Sequence, residues 1–442
     1  MKPDATQPAF FPAGAGPRLT GVMAAVLLPA WAGCLPPMIP APSGDDTVDS
    51  SIQVNGESVD TLLDWYTDTH LDPGSDMRLL TDGPESLAAF EQLINSAEQH
   101  IHIETLNFDD DMEKPRDIAL EVAQLLAAKA RQGVRIRMIV DPVVEGIITP
   151  PTVTQALSEA NIEILGYVPM WTGPLMQALH RTHKKLILVD GKAAIIGGMN
   201  YGWLYLGEGQ WRDTNALLTG PVVATMQAEF LRDWAYLGGN AGWDLSLYPT
   251  IEPAGSLAVR SIDQRPFQDD FDINNAILIA LRSARQSIAI ETPYFNPTGW
   301  MLNELIAAAR RGVRITLLTN TQESTDIKDS YTLFTTYLGP LIDSGIRVFL
   351  WGQPRTLHSK ALVVDDTLAM IGSYNLNWRS IAWDTENVAV VTDAASVARV
   401  RAMIEADMTA ELVFEVPPGS DWLNAVLATP VPAWLLALIP FF

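Results

Sequence analysis

The sequence predicts an α/β protein made of two lobes of one design. Each lobe is a mixed, mostly parallel sheet flanked by helices, and a pseudo-two-fold axis relates the pair. Three observations in this chain of 442 residues carry the prediction. The first is a pattern that occurs twice. His183-x-Lys185, Asp190 and Gly197-Gly198-x-Asn200 recur as His358-x-Lys360, Asp365 and Gly372-Ser373-x-Asn375. The spacings agree to the residue, and the copies lie 175 positions apart. The second is a pair of matching strands, His102-Ile103-Glu104-Thr105 and Ala289-Ile290-Glu291-Thr292, each opening a lobe. The third is ARQGVRI at 130–136 against ARRGVRI at 309–315, in each case a helix end, a glycine cap and the next strand. Two copies in register imply that each lobe supplies half of one site.

Taken along the chain, residues 1–34 read as a signal segment. Lys2 and Arg18 precede Leu19 to Ala32, an apolar run of fourteen that is too short to span a bilayer and right for a signal core. Ala30-Trp31-Ala32 suits cleavage, whereas Ala32-Gly33-Cys34 is similar to the end of a bacterial lipobox. Cys34 is the only cysteine, so it is either a lipid-anchor site or an inert thiol, and no internal disulfide can form. Residues 35–75 read as a linker. The first lobe takes 76–245 and the second 246–416, with the junction near 244–258. Each runs strand, helix, strand, helix, strand and then a hairpin.

The hairpins hold the repeated motifs. Alternation puts His183, Lys185 and Ile187 on one face of a strand from His183 to Val189, and His358, Lys360 and Leu362 likewise. Asp190-Gly191 and Asp365-Asp366 read as tight turns. The small pairs Gly197-Gly198 and Gly372-Ser373 let backbone approach a ligand closely. Residues 142–154 and 321–338 are inserts near strand ends, where pockets are usually built. Residues 417–442 form an apolar tail broken by Pro430, Pro432 and Pro440, which rules against a spanning helix. The tail either packs on the protein or lies in a lipid interface.

Composition narrows the function. Apolar residues at 48% with 18% charged describe a globular or membrane-associated chain. The net charge of -23 opposes sequence-independent nucleic-acid binding, which needs a basic surface. No nucleic-acid partner is expected. Anionic lipid also repels an acidic protein at long range. Membrane contact then requires apolar anchoring or a local basic patch, for which Arg181, Lys184, Lys185 and Lys192 are the candidates.

Two imidazoles, two ammonium groups and two amides suit a phosphodiester. Cations and amides hold the non-bridging oxygens, one histidine attacks phosphorus, and the other protonates the leaving alcohol. This chemistry requires no metal or cofactor. At these residues the chain resembles the phospholipase D superfamily of two-motif enzymes, over roughly residues 76 to 416, and within it the bacterial cardiolipin synthases. Arg181-Thr182-His183-Lys184-Lys185, Trp211-Arg212-Asp213-Thr214 and Asn375-x-Asn377-x-Arg379-Ser380 followed by Glu386 carry the closer likeness.

The resemblance implies a catalytic set of His183, Lys185, Asp190, His358, Lys360 and Asp365. Within it His183 is the nucleophile that forms a phosphohistidine, and His358 is the general acid and then base. Asp190 and Asp365 hold the hairpin and the neighbouring lobe. Lys185, Lys360, Asn200 and Asn375 bind phosphate, together with Gly198 and Ser373. Asp213 and Glu386, thirty and twenty-eight residues past their histidines, orient the imidazoles. Asn377 and Asp384 depart from the family pattern. The implied activity is phosphatidyl transfer between phosphatidylglycerol-like lipids at a membrane surface, in an exported protein of the bacterial envelope. Hydrolysis to phosphatidic acid uses the same residues, and a non-catalytic lipid-binding scaffold is the reading of another class. The sequence leaves the oligomeric state open.

Several residues keep two readings. Glu104 and Glu291 either reach the opposite motif or cap their strands. His180 reads as a surface histidine. His100 and His102 alternate like a metal pair, but no third ligand of matching spacing follows, so they read as structural. Trp203, Tyr205, Trp211, Trp378 and Trp383 are either core or a lip at the pocket.

Overall fold

A computed structural model describes residues 44–142, 149–167, 179–242 and 244–442. The signal segment and Cys34 lie outside the described residues, as does part of the insert at 142–154. The first half contributes β1 (Asp72–Leu80), β2 (His100–Thr105), β3 (Arg135–Val140), β4 (Glu163–Gly166), β5 (Leu186–Val189), β6 (Ala193–Gly197) and β7 (Asn215–Thr219). The second contributes β8 (Leu257–Gln264), β9 (Ser287–Glu291), β10 (Phe295–Asn296), β11 (Arg314–Asn320), β12 (Arg347–Trp351), β13 (Ala361–Val364), β14 (Leu368–Gly372), β15 (Leu376–Asn377), β16 (Glu386–Val391) and β17 (Val413–Glu415).

The halves share one continuous sheet. Its order is β17-β12-β11-β9-β13-β14-β16-β8-β1-β7-β6-β5-β2-β3-β4. Reading outward from the central β1–β8 contact, the two sides match strand for strand, and β17 is an addition on the second side. This is the expected pseudo-two-fold relation, realised through a shared antiparallel seam, Asp72↔Val259 and Pro73↔Ala258. The class is mixed α/β as expected, but the parallel part is narrower than "mostly". It comprises β2–β3–β4 and β9–β11–β12, the segments joined by helices. The hairpins and the seam make their neighbours antiparallel, because short connections return the chain.

Among the described residues, three main apolar cores follow from this layout. One belongs to each half, built on Ile101, Ile103, Val122 and Leu126 in the first and on Ile288, Ile290, Ile279 and Leu305 in the second. The third lies on the other face and is common to both. There the helices Val222–Tyr236 and Ala394–Met408 bring Phe230, Trp234, Val397 and Ile404 against strand residues of both halves. Burying a shared core makes the halves one folding unit and fixes the cleft between their motifs. Residues 44–75 are not a free linker. The helix Val59–Tyr66, capped by Ser58, buries Leu62 and Leu63 in the second half's core beside Ile52. Apolar side chains at i, i+1 and i+4 gave that stretch a face to bury.

The tail also packs on the protein. Leu435 and Phe442 are buried with Leu333, and the Pro440 carbonyl accepts the Trp383 indole N–H at 2.7 Å. Trp422, Leu427, Trp434 and Leu436 of the same tail remain outside. Among the described residues no helix is long and apolar enough to cross a membrane.

Candidate active site

The strands carrying the motifs begin later than alternation suggested. β5 starts at Leu186 and β13 at Ala361, so both histidines and both lysines precede the ladders in extended chain. These stretches pair across the seam instead. His183 N–H donates to the Thr385 carbonyl at 3.0 Å, and Thr385 N–H donates to the Arg181 carbonyl at 2.9 Å. On the other side His358 N–H donates to the Arg212 carbonyl at 2.7 Å, and Arg212 N–H to the Thr356 carbonyl at 2.8 Å. Each histidine is thereby set opposite the chain that leads to the other half's carboxylate.

The side chains follow. His183 Nδ1 lies 2.9 Å from Glu386 Oε1, and His358 Nδ1 lies 2.7 Å from Asp213 Oδ2. The orienting pairs are crossed: each acid serves the opposite histidine, not the one it follows in sequence. A carboxylate on Nδ1 fixes the tautomer and leaves Nε2 for chemistry. Both acids are fully buried and held in turn. Glu386 accepts from the Ser373 and Ser380 hydroxyls at 2.5 Å each. Asp213 accepts from Thr214 N–H at 2.7 Å.

Gly198 and Ser373 therefore have a task other than phosphate binding. A Cβ on Gly198 would stand 2.2 Å from Asp213 Oδ1, so glycine makes room for that acid. Ser373 spends its hydroxyl on Glu386. Asn200 and Asn375 suit phosphate better. Each keeps its amide oxygen buried without a hydrogen-bond partner. Because an amide can be flipped to exchange its nitrogen and oxygen, either end can be turned toward a ligand.

Lys185 and Lys360 curl back on the carbonyls of His183 and His358. Burial pushes the Lys185 ammonium down to about 7, with Lys360 adding repulsion, and burial pushes Lys360 down to about 8. Both histidines are pushed below the ordinary imidazole value. Burial lowers His183, opposed by Glu386, and burial with the Lys360 charge pushes His358 down to about 3. Two buried ammonium groups this close suit a shared anionic ligand, which would favour their charged forms.

Asp190 and Asp365 stand away from this chemistry, at the far ends of β5 and β13. Asp190 accepts from the N–H groups of Glu98, Gln99 and His100 at 2.8 Å each. Asp365 accepts from Arg285, Gln286 and Ser287 at 2.7–2.8 Å. Both adopt positive φ, 52° and 47°. They staple the hairpin turn to the adjacent strand of their own half, not to the other lobe, and their place in a catalytic set is not supported by geometry.

Other expectations shift as well. Glu104 is buried and accepts from Thr182 Oγ1 at 2.6 Å, so it supports its own motif. Burial raises its carboxyl to about 7, and burial with Asp407 raises Glu291 to about 8 beside Arg212. Lys184 is not a surface charge. It is buried against Asp233, Asp263 and Glu104, which outweigh the cost of burial and keep it protonated. Arg181 and Lys185 are also buried, which leaves only Lys192 of the expected basic patch exposed. His180 packs on Phe267 and Trp383 and bonds the Trp383 carbonyl at 2.8 Å. His100 and His102 share Gln227 in the core. Asn377 caps the helix Trp378–Ala382, and Asp384 pairs with Arg379. Tyr205 and Trp211 pack against the His358 ring at 5.2 and 5.3 Å, while Trp383 packs on Phe441 of the tail.

Sequence reasoning missed Tyr294 and Asp326. Tyr294 meets His358 edge-on at 6.2 Å and donates to Asp326 at 2.7 Å. The signal was present: Tyr294 occupies, after the repeated Glu-Thr pair, the place that Asn107 holds in the first half. A cavity of about 500 Å³ lies elsewhere; Asp49, Arg232, Asp263, Arg265 and Asp270 are among its lining, and no motif residue is.

Residues 90–234 and 277–408 match the family described as "Cardiolipin synthase, PLD-like domain". Cardiolipin synthase 1 of Bacillus cereus is 29% identical over 343 residues, 75% of this chain and 66% of that protein. The cardiolipin synthase of Halalkalibacterium halodurans is 30% identical over 79% of this chain and 70% of its own length. The chain thus spans about two thirds of the relatives it matches. In fold it is similar to the phosphatidylserine synthase of Haemophilus influenzae, with a TM-score of 0.57 and 16% identity over 77% of this chain and 87% of that one.

Proposed function

This chain belongs to the PLD-like cardiolipin synthase family, and from that premise we propose that it is a phosphatidyltransferase working through a phosphohistidine on phosphatidylglycerol-like lipids. The crossed His–carboxylate pairs flanking two buried lysines carry the reading. His183 Nε2 attacks phosphorus while Glu386 takes up the charge that grows on the ring. The bond from phosphorus to the head-group oxygen breaks, and His358, which takes up a proton once the bound phosphodiester's charge offsets that of Lys360, gives that oxygen its proton. A second lipid's hydroxyl then attacks, returns a proton to His358 and displaces His183. Lys185, Lys360, Asn200 and Asn375 hold the phosphoryl oxygens throughout. His183 is assigned the attack because its side chain is 14% exposed against 5% for His358.

The exposed Trp422, Leu427, Trp434 and Leu436 would place the tail in the lipid interface, since three of the four cations of the expected basic patch are buried. Export and lipid attachment rest on residues 1–34, and palmitate labelling that persists in Cys34→Ala would end the anchor proposal.

Product analysis tests the function. The full chain is given phosphatidylglycerol vesicles, with His183→Ala as control. Cardiolipin plus glycerol is the expected result. Phosphatidic acid alone would make the protein a hydrolase, and no turnover of any phospholipid would leave the scaffold reading.

A further inference from the structure

Among the described residues, the wall around His358 is chemically unlike that around His183. Tyr205, Trp211 and Tyr294 close on the His358 ring at 5.2, 5.3 and 6.2 Å. Behind the phenols stand two carboxyls. Asp326 accepts the Tyr294 hydroxyl at 2.7 Å. Asp109 accepts the Asn107 amide at 2.6 Å, and its N–H donates to the Tyr201 carbonyl at 2.8 Å, next to the motif's Asn200. Asn200, only 2% exposed, keeps its amide oxygen unpaired at this wall.

The alcohol must come to this wall. His358 exchanges its proton with the alcohol oxygen in both steps, so whatever surrounds His358 surrounds the alcohol. We propose that Asp326 and Asp109, with the Tyr294 and Tyr205 hydroxyls, form the subsite that receives a polyol through its hydroxyl groups, as leaving group in the first step and as acceptor in the second. The inference rests on the phosphatidyl-transfer reading and adds to it the residues that choose the alcohol.

Three features support a polyol. Carboxyls and phenols together accept and donate, as vicinal hydroxyls require. The exposed Asp326 carboxylate repels a phosphate, which favours entry of the phosphodiester with its phosphate at the lysines. Burial raises Asp109 to about 7, which favours hydroxyl partners over an ammonium. The wall is also fixed in place. Thr356 Oγ1 donates to the Ser324 carbonyl at 2.6 Å, and Asn320 bonds both N–H and carbonyl of Leu357. The loop that carries Asp326 is therefore tied to the chain just before His358. Yet Asp326 itself is exposed to solvent, so a ligand can reach it.

The two-fold relation supplies a control. Across the pseudo-axis Asn107 replaces Tyr294 and Asn296 replaces Asp109, and Asn296 is tied to Ser330. Among the described residues the polyol wall exists on one side only.

The test uses the full chain and a phosphatidyl-p-nitrophenol donor, whose leaving group bears no hydroxyl to recognise. Nitrophenolate release reports the first step, and free glycerol serves as acceptor for the second. Asp326→Asn and Asp109→Asn should each raise the KM for glycerol at least about tenfold and shift product from phosphatidylglycerol to phosphatidic acid. Their loss of glycerol transfer should exceed their loss of nitrophenolate release by a similar factor. Tyr294→Phe, which keeps the packing, should move both readouts the same way. An unchanged KM and product ratio in all three variants would overturn the subsite. A lower KM for ethanolamine than for glycerol in the unaltered protein would also overturn it, in favour of an ammonium site. Wild-type protein that makes phosphatidic acid alone at saturating glycerol would instead overturn the transferase reading beneath it.

Discussion

His183 and His358 occupy equivalent places in a repeated motif, yet their surroundings differ in kind. His183 lies in a polar setting. Its Glu386 partner takes two serine hydroxyls, and the Arg379–Asp384 pair sits where the other half has Trp211. His358 lies among three aromatic rings, its Asp213 partner packed on a glycine. Burial lowers both imidazoles, opposed by Glu386 at His183 and reinforced by the Lys360 charge at His358. Repetition thus conserved the backbone device and let the two walls diverge. One wall stabilises a ring that becomes charged when it bonds phosphorus, and the other shelters an alcohol.

Removing either histidine is the strongest way to break this comparison. His183→Ala and His358→Ala should each lower phosphatidyl transfer by about 10³-fold or more. Their intermediates should differ. With the nitrophenol donor, His358→Ala should accumulate an acid-labile phosphoryl group on His183, because an activated leaving group needs no general acid. His183→Ala should accumulate none. Phosphoryl label on His358 in that variant would exchange the two roles.

The crossed carboxylates come next. Glu386→Gln and Asp213→Asn should each cost about 10²–10⁴-fold through a misplaced tautomer. If the pairs are crossed, Glu386→Gln should add almost nothing to His183→Ala, and Asp213→Asn almost nothing to His358→Ala. Coupling of each acid to its own half's histidine instead would contradict the geometry.

Much of this was legible in the sequence, and for a physical reason. Spacing fixed which residues recur, and alternation brought each histidine and lysine together. It could not show that the stretches just before the motif strands pair with the other half, because register between distant segments leaves no local pattern. For the same reason Asp213 and Glu386 are recognisable as orienting acids, but only the structure shows that each serves the opposite half's histidine. Ser373 and Gly198 read as a place for a ligand because small residues look alike whether they admit a phosphate or a carboxylate. Lys184 read as a surface cation because its three acidic partners come from strands and helices far along the chain.

Asp365 separates the motif's structural part from its chemical part. It satisfies three backbone N–H groups, so Asp365→Ala should destabilise the fold by about 2–4 kcal/mol, read from denaturant unfolding. The folded fraction should keep a transfer rate within a few-fold of normal. A rate loss as large as that of His358→Ala in fully folded protein would return the aspartate to the catalytic set.

The smallest expected effect concerns the lysines, which are less alike than their positions. Burial sets Lys185 near 7 and Lys360 near 8, and each charge repels the other only while both are protonated. Phosphate binding needs the ammonium forms, which are present below these values and lost as pH rises through them. The kcat/KM for phosphatidylglycerol should therefore fall on the alkaline side, beginning near pH 7. The same limb in kcat should lie at higher pH, since bound phosphate holds the protons in place. Lys360→Met removes one charge from the pair. It should lower activity, and it should also move the remaining limb upward by up to about one pH unit, because Lys185 no longer faces a second cation. A limb that stays put would mean that burial alone tunes Lys185, and that the two halves meet at the phosphate without sensing each other in its absence.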